Sequence, residues 1–225
     1  MDQGKLIVFE GIDGSGKATQ AKLLADSLKG RGEKVMGISF PDYSSPSSAL
    51  VKMYLNGCFG SDPDAVNPYV SSLFYAADRF ASFRMKWQSF YHAGGIVIAD
   101  RYTTSNMVHQ MTKYENQEDR RQFLSWLEDM EYGKMGLPRP DMVFLLDVPL
   151  SVTLQLIQKR ASQGRSSDIH ERDHLYMKRC YEAYDRLAAL YGWVRIACTE
   201  KGDMMRSEKE IAADVLAHVC RSFRV

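Results

Sequence analysis

A glycine-rich segment near the amino terminus has the composition of a phosphate-binding loop (P-loop). It reads Gly11-Ile12-Asp13-Gly14-Ser15-Gly16-Lys17, follows a short apolar run and precedes a helical pattern. Glycines let backbone N–H groups converge on phosphate oxygens, and the N-terminus of the helix adds positive potential. We expect Lys17 to reach the β- and γ-phosphates of a nucleoside triphosphate. A glycine-rich turn with a chance lysine is the alternative.

A second polar segment, Asp100-Arg101-Tyr102, closes another apolar run. In a parallel sheet this acid would lie beside the P-loop, where Asp100 can hold Mg²⁺ directly or through water. Arg101 can then meet a phosphate, because its planar fork matches phosphate oxygens. The alternative is a salt bridge at the end of a strand.

Tyr75 and Arg79 lie four residues apart in a helical pattern and therefore share one face of a helix. An aromatic ring and an arginine on one face can stack on a nucleobase and hydrogen-bond its edge. The spacing fits equally well with core packing for Tyr75 and a surface ion pair for Arg79.

The segment 158–173 is polar, basic and glycine-containing, and it lies between two helical patterns. Its cations are Lys159, Arg160, Arg165 and Arg172. Such residues can close over a phosphoryl group during transfer, although a solvated charged face is the alternative.

Five apolar runs rich in β-forming residues alternate with longer helical patterns. The predicted strands are Lys5–Glu10, Lys34–Phe40, Gly95–Asp100, Asp141–Val148 and Trp193–Cys198. The predicted helices are Thr19–Gly30, a short helix within Ser44–Gly57, Asn67–Gly94, Glu118–Gly133, Ser151–Gln163, Asp173–Leu190 and Ser207–Phe223. Strands that are apolar on both faces indicate a parallel sheet covered on both sides. Ligands of such folds bind at the carboxyl ends of the strands, where the polar segments lie.

The composition is that of an ordinary globular chain. Its 225 residues and formal net charge of +1 suit a single domain over residues 1–225 and argue against a broad nucleic-acid or membrane surface. The four cysteines form no CxxC pair, so we expect buried thiols in a reducing cytosol. No apolar run approaches the roughly 18–20 residues that span a bilayer. We expect a cytoplasmic protein that binds small molecules and neither nucleic acid nor membrane.

The order of these motifs resembles that of thymidylate kinases, P-loop enzymes that move the γ-phosphoryl group of ATP onto dTMP. The matching segments are "FEGIDGSGK", "FPDY", "LFYAADR", "DRYTTS" with a following glutamine, "LLDVP" and the basic segment. The P-loop is widely shared, but its combination with the other two motifs around Arg79 and Arg101 is specific. The resemblance implies a three-layer α/β P-loop NTPase fold, with a five-stranded parallel sheet, helices on both faces and a short mobile lid at about 158–171.

The resemblance also implies roles for individual residues. The ATP site would comprise Gly11, Asp13, Gly14, Ser15, Gly16, Lys17, Ala18 and Thr19, with Thr199–Arg206 bordering the adenine. The acceptor site would comprise Tyr43, Tyr75, Arg79, Arg101, Ser105, His109 and Gln110. The catalytic residues would be Lys17, Asp13, Arg101 and the lid residues Arg160 and Arg165, with Asp100 near the metal. The family is commonly homodimeric, and the long helix from Asn67 is a candidate surface.

Ala18 stands where a P-loop usually carries a Ser or Thr that helps to hold Mg²⁺. The run "GKATQ" resembles the "GKGTQ" form of other nucleoside monophosphate kinases, in which water and the nucleotide's own phosphates supply most of the ligands of Mg²⁺. We therefore expect ATP and Mg²⁺ still to bind, with Thr19 directing its hydroxyl toward the phosphates. Because the loop contains no arginine, the lid must supply charge to the transition state.

Three segments depart from the family pattern. Residues 40–43 lack the arginine that often follows this strand, Val108 and His109 replace a smaller and an aromatic residue, and 168–171 differ from Asp-Arg-x-Glu. These changes leave open a kinase of the same fold for another deoxynucleoside monophosphate. A non-catalytic ATP-binding regulator is a further alternative, which the acceptor residues Tyr75, Arg79 and Arg101 oppose.

Overall fold

A five-stranded parallel sheet forms the centre of the molecule. The computed structural model describes residues 4–161, 173–200 and 203–223, with the side chains of 157–161 excepted. The strands are β1 (Lys5–Glu10), β2 (Val35–Ser39), β3 (Ile96–Asp100), β4 (Met142–Asp147) and β5 (Val194–Ala197), in the spatial order β2-β3-β1-β4-β5. Every pairing is parallel. The predicted strands are confirmed to within one residue at each end.

Nine α-helices surround the sheet in the described part of the chain. They are α1 (Lys17–Gly30), α2 (Ala49–Leu55), α3 (Pro68–Ser82), α4 (Gln88–His92), α5 (Thr103–Met111), α6 (Gln117–Glu128), α7 (Leu150–Ala161), α8 (His174–Tyr191) and α9 (Glu208–Phe223). The predicted single helix over Asn67–Gly94 is wrong in one respect, because a π-helical turn at Phe83–Trp87 separates α3 from α4. A second π-helical turn, Asp129–Lys134, follows α6. Helix α5 was not predicted.

The sheet is covered on both faces, as predicted. Side chains of β1 alternate, because successive residues of a strand point to opposite faces. Leu6 and Val8 pack in a core with residues of α3, α5, α6 and α8. Ile7 and Phe9 pack in a second core with residues of α1 and α9. This three-layer arrangement leaves the carboxyl ends of the strands as the edge at which ligands can enter.

The neighbouring strands β1 and β3 bring two of the polar segments together. Phe9 lies opposite Asp100 in the register, and the Arg101 N–H donates to the Phe9 carbonyl over 3.1 Å. The P-loop and Asp100-Arg101 therefore leave the sheet side by side, as the sequence predicts.

None of the helices in the described ranges has the length and apolar character needed to cross a membrane. All four cysteines are free thiols, and Cys180 and Cys198 are buried. Cys58 is exposed, so the prediction of a buried thiol is wrong at that position.

Candidate active site

The P-loop has a backbone that only glycine accommodates at several positions. Gly11, Gly14 and Gly16 have φ angles of 145°, 92° and 90°. A Cβ atom on Gly11 would lie 2.7 Å from Ser15 Oγ and 2.9 Å from the Leu146 carbonyl oxygen. Gly16 is the N-cap of α1 and no side chain caps this helix, so no side-chain cap occupies its first N–H groups. Backbone N–H groups at a helix N-terminus can bind an anion, so this geometry is compatible with the predicted phosphate site, which stays a prediction.

Three charged side chains meet at the loop. Lys17 Nζ donates to the carbonyl oxygens of Gly11 (2.8 Å) and Ile12 (3.0 Å) and lies 4.0 Å from Asp13 Oδ1. Burial and the charge of Arg101 lower the pKa of Lys17 to about 8. Burial would raise the pKa of Asp13, but the charges of Arg101 and Lys17 outweigh it and hold that pKa well below its usual range. Two cations, Lys17 and Arg101, therefore lie at the loop and can bind phosphate oxygens, with Asp13, Asp100 and Glu10 as the carboxylates that act on them.

Arg101 contacts Asp13 directly, through a hydrogen bond from Nη2. Its backbone has a φ of 69°, a left-handed conformation that is uncommon outside glycine and that clusters at functional sites. The side chain is largely buried, and the predicted catalytic pair of Asp13 and Arg101 is thus in contact.

The residues around Asp100 fit a magnesium ion whose ligands come partly from the protein and partly from the phosphates of a bound nucleotide. Asp100 Oδ1 and Ser15 Oγ are buried and have no hydrogen-bond partner within the described residues. No group of three or more His, Cys, Asp or Glu residues converges in those same ranges. Mg²⁺ binds readily through one or two carboxylates plus phosphate and water oxygens. One carboxylate oxygen without a hydrogen-bond partner, here Asp100 Oδ1, is the protein ligand that such a magnesium site requires.

A pocket opens beside the P-loop. Its walls are Asp13, Phe40, Pro41, Tyr43, Leu55, Tyr75, Arg79, Arg101, Tyr102, Ser105, Asn106, His109 and Gln110. All seven residues predicted for the acceptor site are among them. They come from the loop after β2, from α3, from the end of β3 and from α5, so only the fold brings them together.

Arg79 is held by an ion pair that the sequence did not predict. Its Nε and Nη2 donate to the two carboxylate oxygens of Glu131, each over 2.6 Å, and both side chains are buried. Thr103 and Asn106 also donate to Glu131. The alternative of a surface ion pair for Arg79 is wrong, because the pair lies in the interior. Both bonds use one edge of the guanidinium, and Arg79 also lines the pocket.

Two amide side chains of α5 present unpaired polar atoms at the pocket. Asn106 Nδ2 donates to Glu131 Oε1 (3.2 Å), and its Oδ1 is buried with no partner among the described residues. Gln110 Oε1 accepts from the Ser71 hydroxyl (2.7 Å), and within the same ranges its Nε2 is also buried without a partner. Unpaired buried polar atoms are rare in folded proteins, so these two atoms are candidates to contact a ligand. Asn106 was missed by sequence reasoning, although it follows the predicted Ser105 directly.

The loop after β2 is held in place by the buried carboxylate of Asp78 in α3. Asp78 accepts from the backbone N–H of Asp42 (2.8 Å) and from the Ser47 hydroxyl (2.5 Å). Lys86, in the first π-helical turn, pairs with Asp42. Asp78 belongs to the motif that contains Arg79, so its position in that motif could have indicated a structural role.

His109 lies between the pocket and helix α8. Its Nδ1 is 3.1 Å from the Tyr176 hydroxyl, and the two rings are stacked with centroids 6.0 Å apart. Cys180 Sγ lies 3.5 Å from the same nitrogen. The residue that departs from the family pattern is thus accommodated by partners on α8.

The ATP side of the site is described in part. Gln20 of α1 donates to the Glu208 carbonyl oxygen over 3.1 Å, which ties the P-loop helix to the start of α9. Thr199 and Met205, in the segment predicted to border the adenine, form an isolated bridge. The side chains of Arg160 and Arg165 lie outside the described part of the structure. The same holds for most of the predicted lid at about 158–171.

Comparisons with known proteins all lead to one family. A protein-family model described as thymidylate kinase matches residues 9–210. A thymidylate kinase of Mycobacterium tuberculosis is 31% identical over 192 residues, which cover 84% of this chain and 87% of the relative. A probable thymidylate kinase of Pyrococcus horikoshii is 30% identical over 96% of each chain. A solved thymidylate kinase structure from Candida albicans has 19% identity and a TM-score of 0.70, covering 98% of this chain and 93% of the other.

Proposed function

The chain belongs to the thymidylate kinase family, and we propose that it transfers the γ-phosphoryl group of ATP to dTMP, giving dTDP and ADP in dTTP synthesis. The observation that supports this most strongly is the single pocket that contains all seven predicted acceptor residues and reaches Asp13 of the P-loop. A phosphate bound at Arg101 in this pocket would face a nucleoside triphosphate bound on the loop.

The pocket's polar atoms complement a thymine base. Thymine presents the N3–H donor between two carbonyl acceptors, whereas cytosine presents an amino donor and no N3–H. Asn106 Oδ1 is the acceptor that N3–H requires, and Arg79 supplies donors for a carbonyl oxygen. Tyr75 lies on the same pocket wall, where its ring can stack on the base. Glu131 keeps the Asn106 amide in this orientation by accepting from Nδ2.

Catalysis by such a site is a matter of alignment and charge. Phosphoryl transfer passes through a loose, highly charged transition state, and the acceptor phosphate needs no general base. Arg101 holds the acceptor phosphate, Lys17 and the loop N–H groups hold the donor phosphates, and Asp13 keeps Arg101 in place. Bound Mg²⁺, with Asp100 as its protein ligand, would neutralise phosphate charge. Arg160 and Arg165 are proposed as the further cations.

The test is ADP release with ATP and Mg²⁺, offering dTMP, dUMP, dCMP, dGMP, dAMP and UMP separately. Turnover should be strongest with dTMP, and Asn106→Ala should reduce it while the exposed variant Glu118→Ala does not. Preferred turnover of another deoxynucleoside monophosphate would retain the reaction and overturn the acceptor. ATP binding without turnover of any acceptor would favour the regulator.

We also propose a cytoplasmic homodimer that assembles through α2 and α3. Helix α3 exposes Val70 (44%), Leu73 (44%) and Phe80 (40%), and α2, which packs on it, exposes Leu50 and Met53. Apolar side chains grouped on neighbouring helices are typical of an interaction surface. A second copy of this chain would present the same apolar patch, which makes a symmetric contact self-complementary.

A further inference from the structure

Glu10 is completely buried at the end of β1, although the proposed mechanism assigns it no role. Its Oε1 accepts from Thr104 Oγ1 (2.6 Å) and from the Tyr102 N–H (3.3 Å). Its Oε2 accepts from the hydroxyls of Ser105 (2.7 Å) and Tyr184 (3.2 Å). Four donors satisfy this carboxylate in a site where a bare charge would be costly.

The same two hydroxyls also contact Arg101. Its Nη1 donates to Ser105 Oγ over 3.1 Å and to the Tyr184 hydroxyl over 3.2 Å. A hydroxyl has one proton, so a hydroxyl that donates to Glu10 must turn its lone pairs elsewhere. Here those lone pairs face the guanidinium. Glu10, Ser105, Arg101 and Tyr184 therefore form a closed ring of hydrogen bonds.

The ring joins elements that are far apart in sequence. Glu10 belongs to β1, Ser105 to α5 and Tyr184 to α8, and Arg101 follows β3 with a φ of 69°. With Nη1 held by the two hydroxyls and Nη2 by Asp13, the plane of the guanidinium is fixed before any ligand binds. Burial and the charge of Glu10 raise the pKa of Tyr184 well above its usual value, so this hydroxyl keeps the proton that it donates.

We propose that Glu10 and Tyr184 are positioning residues for the acceptor phosphate, acting through the orientation of the Arg101 guanidinium. This rests on the proposed function, which assigns the phosphate contact to Arg101. Glu10 accepts the hydroxyl protons of Ser105 and Tyr184, so the oxygen atoms of both hydroxyls can accept from Arg101 Nη1. Arg101 then presents its remaining donors to the phosphate. A residue that acts in this way affects ligands with a phosphate and not the nucleoside alone.

The test compares binding of dTMP and thymidine to Tyr184→Phe by titration calorimetry. The variant keeps the aromatic ring and loses one of the two acceptors of Arg101 Nη1, so dTMP affinity should fall about tenfold, as expected for one hydrogen bond to a charged group. Thymidine affinity and the KM for ATP should not change. Tyr191→Phe is the matched control, because its hydroxyl binds Glu128 near the surface of the same helix. It should change neither affinity.

Arg101→Ala separates failure of this proposal from failure of the proposed function. It should lower dTMP affinity but not thymidine affinity, and adding Tyr184→Phe to it should have no further effect. If Arg101→Ala acts so but Tyr184→Phe changes nothing, or weakens thymidine equally, the positioning role is overturned and the function stands. If Arg101→Ala leaves dTMP affinity intact, the phosphate contact itself is misassigned.

Glu10→Gln provides an independent variant of the ring. It replaces one acceptor oxygen with an N–H donor, which forces a hydroxyl to turn its proton toward Arg101. We expect the same phosphate-specific loss of affinity. Equal loss for thymidine and dTMP would overturn the role of Glu10. If the Glu10→Gln variant does not fold, Ser105→Ala tests the hydroxyl of Ser105 by the ratio of dTMP affinity to thymidine affinity.

Discussion

At the scale of single residues, burial places Lys17 where proton and nucleotide binding are linked. Its pKa in the free protein is about 8, because burial and Arg101 disfavour the charged form. Phosphates favour the charged form and raise that pKa on binding. Between the two pKa values, ATP binding must therefore take up a proton at this lysine, and affinity must fall as the pH rises above about 8.

Calorimetry at pH 8.5 in buffers with different ionisation heats measures this uptake directly. We expect net proton uptake for the wild type and none for Lys17→Arg, since arginine remains charged throughout this range. Identical proton counts for the two proteins would contradict the proposed burial effect on Lys17.

Gly11 permits a second prediction at this scale. Gly11→Ala places a Cβ atom 2.7 Å from Ser15 Oγ at a φ of 145°. The loop must therefore shift, and its N–H groups can no longer converge on the phosphates. ATP affinity should fall about tenfold or more in equilibrium binding. Gly30→Ala, where the added Cβ meets nothing within 4 Å, should bind ATP as the wild type does.

The buried pair of Arg79 and Glu131 predicts a stability effect. Glu131→Ala leaves a guanidinium in the interior without its counter-charge, so the free energy of unfolding should fall by about 3–5 kcal/mol in urea denaturation. Glu118→Ala removes an exposed partner of Arg121 and should leave the midpoint almost unchanged. An equally small effect of both substitutions would contradict the burial of the Arg79 pair.

At the scale of elements, two features of the helices position side chains of the site. Helix α5 begins with Thr103-Thr104-Ser105-Asn106, residues of modest helix propensity, and forms because most of its residues are buried. The π-helical turn Asp129–Lys134 contains Glu131 and directs it to Arg79. Such turns often occur at functional sites. Neither feature has a local sequence signal strong enough to predict it.

Asp78 tests how α3 holds the acceptor loop. Asp78→Ala removes the acceptor of the Asp42 N–H, which frees the loop that carries Tyr43. The KM for dTMP should rise about tenfold with the KM for ATP unchanged, as measured by steady-state kinetics. Ser44→Ala, at an exposed hydroxyl of the same loop, should alter neither value. Equal increases in both KM values would contradict a role of Asp78 that is confined to the acceptor loop.

At the scale of the whole molecule, the exposed patch on α2 and α3 predicts the oligomeric state. Light scattering after size exclusion should give about twice the chain mass of 25.6 kDa. Leu73→Glu places a charge within the patch and should yield the monomer. Leu190→Glu, at an exposed position of α8 outside the patch, should remain dimeric. A monomeric wild type would contradict the proposed interface.

The sequence by itself determined the parallel sheet and the P-loop, and it selected seven residues that line one pocket. These features depend on local signals: apolar runs bounded by glycine, a glycine-rich turn between strand and helix, and motifs specific to one family. The tertiary structure alone decided that Arg79 pairs with Glu131, that Asn106 faces the pocket, and that Glu10 and Tyr184 meet at Arg101. Those contacts join residues separated by about 50 to more than 170 positions. Only the packing of helices on the sheet fixes such distances, and no local pattern records them.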